Sequence, residues 1–540
     1  MKKIIFLILI NTILYAQNLD SLYNMVVSMH PNSGFVKSQS VQNYEQTKCN
    51  FGAVNFVKAN LNLFIANQIS ILSNILQRPS SDTSFVSPSG KFRIHYKKSG
   101  FDAPGYDLSE IGKSADSVYN YEVNKLGYPP PPKDGVSGGD DKYDIYILNL
   151  SSGLYGYTEF DTQISENKYT SFTVIDNDYS QGYNTIGIDG AKVTIAHEFH
   201  HAIQIGNYGF RSEDQFYYEI TSTSMEEFVY DSINDYYHEA ANYFLRPFKS
   251  LPLNNGYNLA VWNIYLKDRF GIDVIKEIWE QIETKRAAIA MSDVLVSKGS
   301  SFKEEFNKFG LWTYFTNSRA VPGKYFEEAA NYPLLRTNVG VNLGNTEQKV
   351  MINSEPISNN FITITDNLAS PRNEIVAIIT NSDIASSMKD SKPVIEFNYR
   401  IARNNVDGFR RIVDNYYSKI ESANNSFLAE TNVFNNIPVN NGQIITDKLE
   451  YAFPQPFYYS KHSTIFFPVQ ENSFTAAELS IFTIDMDLVF NSTSMVIGGE
   501  KLVCGWNARD NNGNPVKSGV YIYVTNVDGK ILKGKFVVFN

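Results

Sequence analysis

Asp189-Gly-Ala-Lys-Val-Thr-Ile-Ala-His-Glu-Phe-His-His-Ala-Ile-Gln-Ile-Gly206 is the stretch from which the rest of the chain is read. Asp189 suits a helix N-cap, and Gly206 suits the residue just past a helix end. No Pro lies between them, so a helix of about four turns is expected. Positions four apart share a helix face, so His197 and His201 point the same way. Two imidazoles one turn apart can bind one zinc ion, and Glu198 beside them can take a proton from a water on that ion. The chain has only seven His, which makes an accidental HExxH rare. His200 stands outside the pattern and is expected to pack, to hydrogen-bond or to face solvent.

A catalytic zinc site usually takes three protein ligands and keeps one position open. The extended HExxHxxGxxH pattern fails here, because Gln204 stands at its Gly and Asn207 at its third His. The other common source is a Glu on a second helix, and residues 215–230 read as one. Glu219 lies eighteen positions after His201, with Ser222 three residues further on. This spacing resembles that of gluzincin metallopeptidases, and the resemblance implies Glu219 as third ligand. Glu226 and Glu227 are its rivals. Glu226 shares the face of Glu219 two turns on and is otherwise expected to support the site or to be solvated.

Met1-Lys-Lys, the apolar run Ile4 to Tyr15 and Ala16 read as a secretory signal peptide (1–16), with a mature chain starting at Gln17. No later run approaches the roughly 20 apolar residues of a membrane span. A net charge of −10 argues against nucleic acid as a partner. At 540 residues several domains are expected. The two cysteines, Cys49 and Cys504, make no disulfide framework. The compartment would permit them to pair. A thiol from the N-terminal segment would also be able to plug the zinc in a latent form, although a plain buried cysteine is the simpler expectation.

Residues 17–84 read as a helical segment, with apolar spacing over 42–77 and a linker from Arg78; it is either a pro-segment or a permanent part of the catalytic domain. From residue 85 to 336 the order is strand (87–96), helix (110–126), strand (144–150), strand (171–175) and the HExxH helix, then helices near 215–230, 257–270, 273–284 and 302–318. Asp134, Asp140, Asp141 and Asp144 match no standard calcium loop and read as a solvated turn. Tyr236, Tyr237 and His238 are candidates to stabilise an oxyanion. Residues 337–446 show short strands and Asn/Gly/Ser turns, as in a β-sandwich.

The tail, 447–540, holds Tyr451-Ala-Phe-Pro-Gln-Pro-Phe457 and Trp506-Asn-Ala-Arg-Asp-Asn-Asn-Gly-Asn-Pro-Val-Lys-Ser-Gly-Val-Tyr-Ile-Tyr523. It resembles the flagellar hook-capping Ig domain and the Ig-like modules that sort proteins through type IX secretion. The fold expected is therefore a multidomain chain, an α+β zincin-like domain followed by all-β Ig-like modules. The resemblance implies a secreted or surface-attached bacterial zinc metallopeptidase, with protein or peptide substrates and sorting machinery as partners. An inactive zincin-like adhesion protein and a metal-dependent hydrolase of non-peptide substrates are the alternatives.

Overall fold

The computed structural model describes residues 19–28, 30, 48–342 except 151 and 181, 354–366, 373–384 and much of 397–539. The expected signal peptide lies outside the described residues. The chain divides into two compact units, Met1–Asn242 with Asn254–Val294, and Tyr243–Leu253 with Leu295–Asn540. Both mix helices and sheets. No helix among the described residues is long and apolar enough to cross a membrane.

The first unit opens with helices α1 (residues 19–28), α2 (Phe51–Ala59) and α3 (Ala66–Ile75). These close over a small core of their own, built from Val26, Val27, Val54, Val57, Phe64, Leu72 and Ile75. The single helix expected over 42–77 is broken at Asn60, whose backbone amide caps α2 and whose side chain bonds Phe56 O at 2.9 Å. An Asn that satisfies a helix-end carbonyl in this way ends the helix that the apolar spacing alone would continue.

A five-stranded sheet follows, ordered β1-β2-β3-β5-β4: β1 (Thr83–Val86), β2 (Phe92–Tyr96), β3 (Tyr143–Leu148), β4 (Gly156–Ser165) and β5 (Lys168–Asp176). Strands β2, β3 and β5 are parallel, so β2 and β3 need a crossover, supplied by α4 (Leu108–Tyr119). Asp107 caps α4 by accepting from Ser109 N at 2.8 Å. The expected helix over 110–126 changes to a π turn at Asn120–Lys125. Strand β4, absent from the sequence reading, runs antiparallel to β5 and forms the sheet edge.

Helix α5 (Gly187–Asn207) packs across this sheet. It starts before Asp189, which sits in the first turn and pairs with Lys192 instead of capping. Gly206 lies inside the helix; a Cβ there would come within 2.2 Å of Pro132, so close packing requires the glycine. Helices α6 (Gln215–Val229), α7 (Tyr236–Leu245), α8 (Ala260–Phe270), α9 (Asp273–Ile282) and α10 (Ala287–Ser297) follow.

The aspartates expected in a solvated turn are each paired with a cation. Arg78 binds Asp134, Asp144 and Asp161; Asp144 also meets His95 at 2.7 Å, and Arg93 binds Asp140. Lys133 binds Asp141. Asp144 is fully buried, where a carboxylate must be paired to be tolerated.

In the second unit, β6 (Val339–Asn342), β7 (Ser358–Asp366), β8 (Asn373–Asn381), β9 (Phe397–Asn405) and β10 (Arg410–Val413) form one sheet. Helix α11 (Phe302–Tyr314) packs on it, with Asn307 donating to Ile378 O and Thr380 Oγ1, where the sequence suggested a second sheet. Two hairpins follow, β11 (Glu421–Ala423) with β12 (Ser426–Leu428) and β13 (Glu430–Phe434) with β14 (Ile437–Asn440). The tail forms strands β15 (Phe457–Tyr458), β16 (Ile465–Pro468), β17 (Ala476–Thr483), β18 (Leu488–Ile497), β19 (Val503–Trp506), β20 (Gly519–Val527) and β21 (Lys530–Phe539). They enclose a core of Phe467, Leu479, Ile481, Trp506, Tyr523 and Phe536.

Candidate metal centre

Helix α5 presents His197 and His201 one turn apart, and α6 brings Glu219 against them. His197 Nε2 and His201 Nε2 are 3.1 Å apart, and Glu219 Oε2 lies 3.2 Å from the first and 3.3 Å from the second. Three donors at the corners of a nearly equilateral triangle suit one small ion. Zinc bonds of about 2.0–2.1 Å in a tetrahedron give donor separations of about 3.3–3.4 Å. Glu219 Oε1 is buried without a hydrogen-bond partner, a costly arrangement that a metal ion would relieve. The donor set and its geometry fit zinc.

The other ring nitrogens are engaged, and this orients the imidazoles. His197 Nδ1 meets Glu226 Oε1 at 2.8 Å. His201 Nδ1 meets Gln204 Oε1 at 2.8 Å and Ser222 Oγ at 3.1 Å. With each Nδ1 so engaged, Nε2 is the nitrogen turned to Glu219, the one that binds a metal ion once that ion replaces its proton. Glu226, a rival for the third ligand, thus lies behind His197. Gln204 marks the failure of the longer motif and is the partner of His201. Asn207 ties the end of α5 to Pro129 O and Pro130 O.

Charge follows this geometry. Burial works against a charged His197, but the Glu219 and Glu226 carboxylates outweigh it and push its pKa up to about 10. Burial likewise opposes an ionised Glu219, and the imidazoles of His201 and His197 bring it down to about 2. His200 points away from the cluster. It meets Glu122 at 2.9 Å and packs edge-on to Tyr128 and Trp279, a buried structural histidine. Burial drives the His200 pKa well down and the Glu122 pKa well up.

Glu198 reaches toward edge strand β4. Thr158 Oγ1 lies 2.9 Å from Glu198 Oε2 and 2.8 Å from its backbone oxygen. Gly156 permits the approach, since a Cβ there would stand 2.7 Å from Thr194 Cγ2 and 3.3 Å from Glu198 Cγ.

Two more residues complete the site, Cys49, the thiol that the sequence offered as a plug for the zinc, and Tyr257, which it left without a role. Cys49 joins His197, His201 and Glu219 in one buried cluster whose ligand atoms all lie within 4.8 Å of one another. Both cysteines are free thiols, so Cys49 and Cys504 form no disulfide. Burial raises the Cys49 pKa well above the usual thiol value, reinforced by the Glu198 and Glu219 carboxylates. Tyr257 lies over the His197 ring, centroids 5.9 Å apart, and its hydroxyl donates to Cys49 O at 2.9 Å. Among the expected oxyanion partners, Tyr236 is buried against Tyr237 and His238 is exposed at the start of α7. Tyr257, by contrast, sits on a backbone carbonyl beside the cluster. Its distance along the chain from the HExxH helix hid it from any local pattern.

The comparison with curated proteins gives no match. Among solved structures, one likeness is to PorZ, described as an essential bacterial surface component of the type-IX secretion system of Porphyromonas gingivalis. It is 10% identical and covers 34% of this chain and 38% of that one, with a TM-score of 0.14. Another is to dimeric latent PorU from Porphyromonas gingivalis, 12% identical, covering 34% and 20% of the two chains, TM-score 0.14. This chain spans well under two thirds of either. Residues 102–305, which hold His197, Glu198, His201 and Glu219, match the model of DUF6055, a family of unknown function.

Proposed function

We propose that the chain is a secreted zinc-dependent peptidase. The observation that carries this is the triangle of His197 Nε2, His201 Nε2 and Glu219 Oε2, with Glu198 on the same helix directed to the sheet edge. A zinc ion held by these three residues would polarise a carbonyl and acidify a water. Glu198 takes the proton of the attacking water and delivers it to the leaving amine. Thr158 holds that carboxylate in position. Tyr257, whose hydroxyl already binds a backbone carbonyl beside the cluster, is suited to hold the oxygen on which charge develops. Edge strand β4 has no strand on its outer side among the described residues, so an extended peptide can lie along it.

A second reading has one observation in its favour. With Cys49 the cluster has four protein donors, and zinc sites with four protein ligands are structural. The tail module (447–540) we assign to export or surface display through type IX sorting, on its sequence resemblance alone. Zinc analysis of the purified chain with a casein-type assay tests the proposal. Chelator-sensitive hydrolysis with one zinc per chain supports it, and a zinc-loaded chain that hydrolyses nothing after removal of residues 17–80 refutes it.

A further inference from the structure

The proposed catalytic residues are closed off. His197 and Glu198 are 1% exposed, and His201 and Glu219 are 0% exposed, so no peptide reaches them in this form. What covers them is a short run of the N-terminal segment, laid where a substrate would lie. Residues 48 and 49 bond to the start of β4: Tyr155 N donates to Lys48 O at 2.8 Å, and Cys49 bridges Gly156 in parallel. Further along, Asn55 takes the place of a neighbouring strand. Its side-chain amide donates to Thr158 O at 2.7 Å and accepts from Phe160 N at 2.8 Å. Between these, Phe51 stacks flat on His201, centroids 3.9 Å apart and planes 3° apart. Cys49 points its sulfur into the donor cluster, on the side of Glu198.

The charges are complementary as well. Lys48 Nζ sits between Glu226 and Asp235 and lies over the Tyr155 ring, 4.8 Å from its centre. Tyr155 also donates to Asp235 at 2.9 Å. Glu159, on β4, is fully buried and receives Lys58 at 2.6 Å and His30 at 3.3 Å. The segment thus brings its basic groups to three buried carboxylates of the cleft. Without it, those carboxylates would have to be met by another cation or by water.

We infer that residues 48–58 are a built-in pseudo-substrate: Cys49 supplies the fourth ligand to the metal, Lys48 fills an acidic side-chain subsite made by Glu226, Asp235 and Tyr155, and the chain is latent until the segment leaves. To hold the metal as thiolate, Cys49 would give its proton to Glu198, its hydrogen-bond partner. The segment carries its own small core and is joined to the rest through exposed Ser80, Ser81 and Asp82, so one cut there lets it leave as a unit once Arg78 releases Asp134, Asp144 and Asp161. The freed enzyme prefers peptides with Lys or Arg beside the scissile bond. This inference rests on the peptidase proposal.

The test uses the full chain loaded with Co²⁺, which reports a thiolate ligand by its near-ultraviolet charge-transfer band. Wild type is expected to show the band and negligible hydrolysis. Cys49→Ser is expected to lose the band and to hydrolyse a Lys-containing peptide at least tenfold faster than wild type. A second form, wild type with a protease recognition sequence inserted between Ser80 and Ser81, is expected to behave alike after cutting, which guards against misfolding of the variant. Lys peptides are expected to be cut at least tenfold faster than their Ala counterparts, and Asp235→Asn in the cut form to bring the ratio of the two rates close to one. A full chain without the band and already as active as Cys49→Ser overturns the plug and leaves the peptidase proposal standing. Equal rates on Lys and Ala peptides overturn the acidic subsite. A band in wild type with no hydrolysis in any form overturns the peptidase proposal itself and makes the site a closed structural one.

Discussion

Glu219 and Glu226 share one face of α6 two turns apart and both touch His197, yet they should differ sharply in what they do for the metal. Glu219 offers its carboxylate to the donor triangle, whereas Glu226 accepts from His197 Nδ1 at 2.8 Å and balances Lys48. A structural zinc site is worth about 10–16 kcal/mol over four donors, or about 2.5–4 kcal/mol for each. Glu219→Gln, which replaces an anionic donor by a weak neutral one, should therefore lower zinc affinity by about 10²- to 10³-fold. Glu226→Gln keeps an oxygen in place to accept from Nδ1–H. It loses only the charge assistance of that bond, about 1–2 kcal/mol, or about tenfold in affinity. Lys48 retains Asp235 as a partner in that variant. Competition against a chromophoric chelator measures both affinities, and circular dichroism confirms that each variant is folded. If Glu226→Gln loses more zinc affinity than Glu219→Gln, Glu226 is the ligand and the geometric reasoning fails. If neither moves the affinity, the cluster is not the zinc site.

His197→Ala and His201→Ala should each remove zinc from the purified chain, since the remaining donors hold it poorly; a full complement of zinc in either variant counts against the site. The metal-free chain should lose stability at both ends of the pH range. The contribution of the His197 imidazolium is full below about pH 6.5 and lost as pH rises through about 10, while that of the Glu219 carboxylate is full above about pH 4.5 and lost as pH falls through about 2. Denaturation midpoints with and without zinc check this, and an identical alkaline limb in the zinc-loaded chain would contradict it, because zinc takes the lone pair that the proton occupies. Gly156→Ala should lower hydrolysis by the unmasked enzyme, because its methyl displaces Thr194 and Glu198; unchanged kcat would show that Glu198 needs no such fit. Deleting residues 447–540 should leave hydrolysis per folded molecule nearly unchanged, and loss of zinc from a folded truncation would contradict that.

The central part of the fold was legible because its signals are local. Helix α5 declares itself by an uninterrupted run, and β3 and β5 by the continuous apolar texture of buried parallel strands. The seven-residue step from Glu219 to Glu226 placed both on one face, and both reach His197, one at each nitrogen. What escaped depends on distant partners. Strand β4 ends in Asp-Thr-Gln-Ile-Ser165, polar as an exposed edge must be, and so reads as loop. Arg78 looks like linker and is the anchor of three aspartates. Tyr257 reaches the site from far along the chain, and no spacing rule connects it to His197. Gln204 carries a local signal, three residues after His201 on the same helix face, although the longer motif marks it only as a missing glycine.

The most direct measurement is the pair of zinc content and peptide hydrolysis for Glu198→Gln in the chain freed of residues 17–80. One zinc per chain in both proteins is expected, with hydrolysis by Glu198→Gln lower by about 10²- to 10⁴-fold, since a general base is removed and the zinc ligands remain. Hydrolysis undiminished in Glu198→Gln, or a wild-type chain that retains no zinc, would contradict the account.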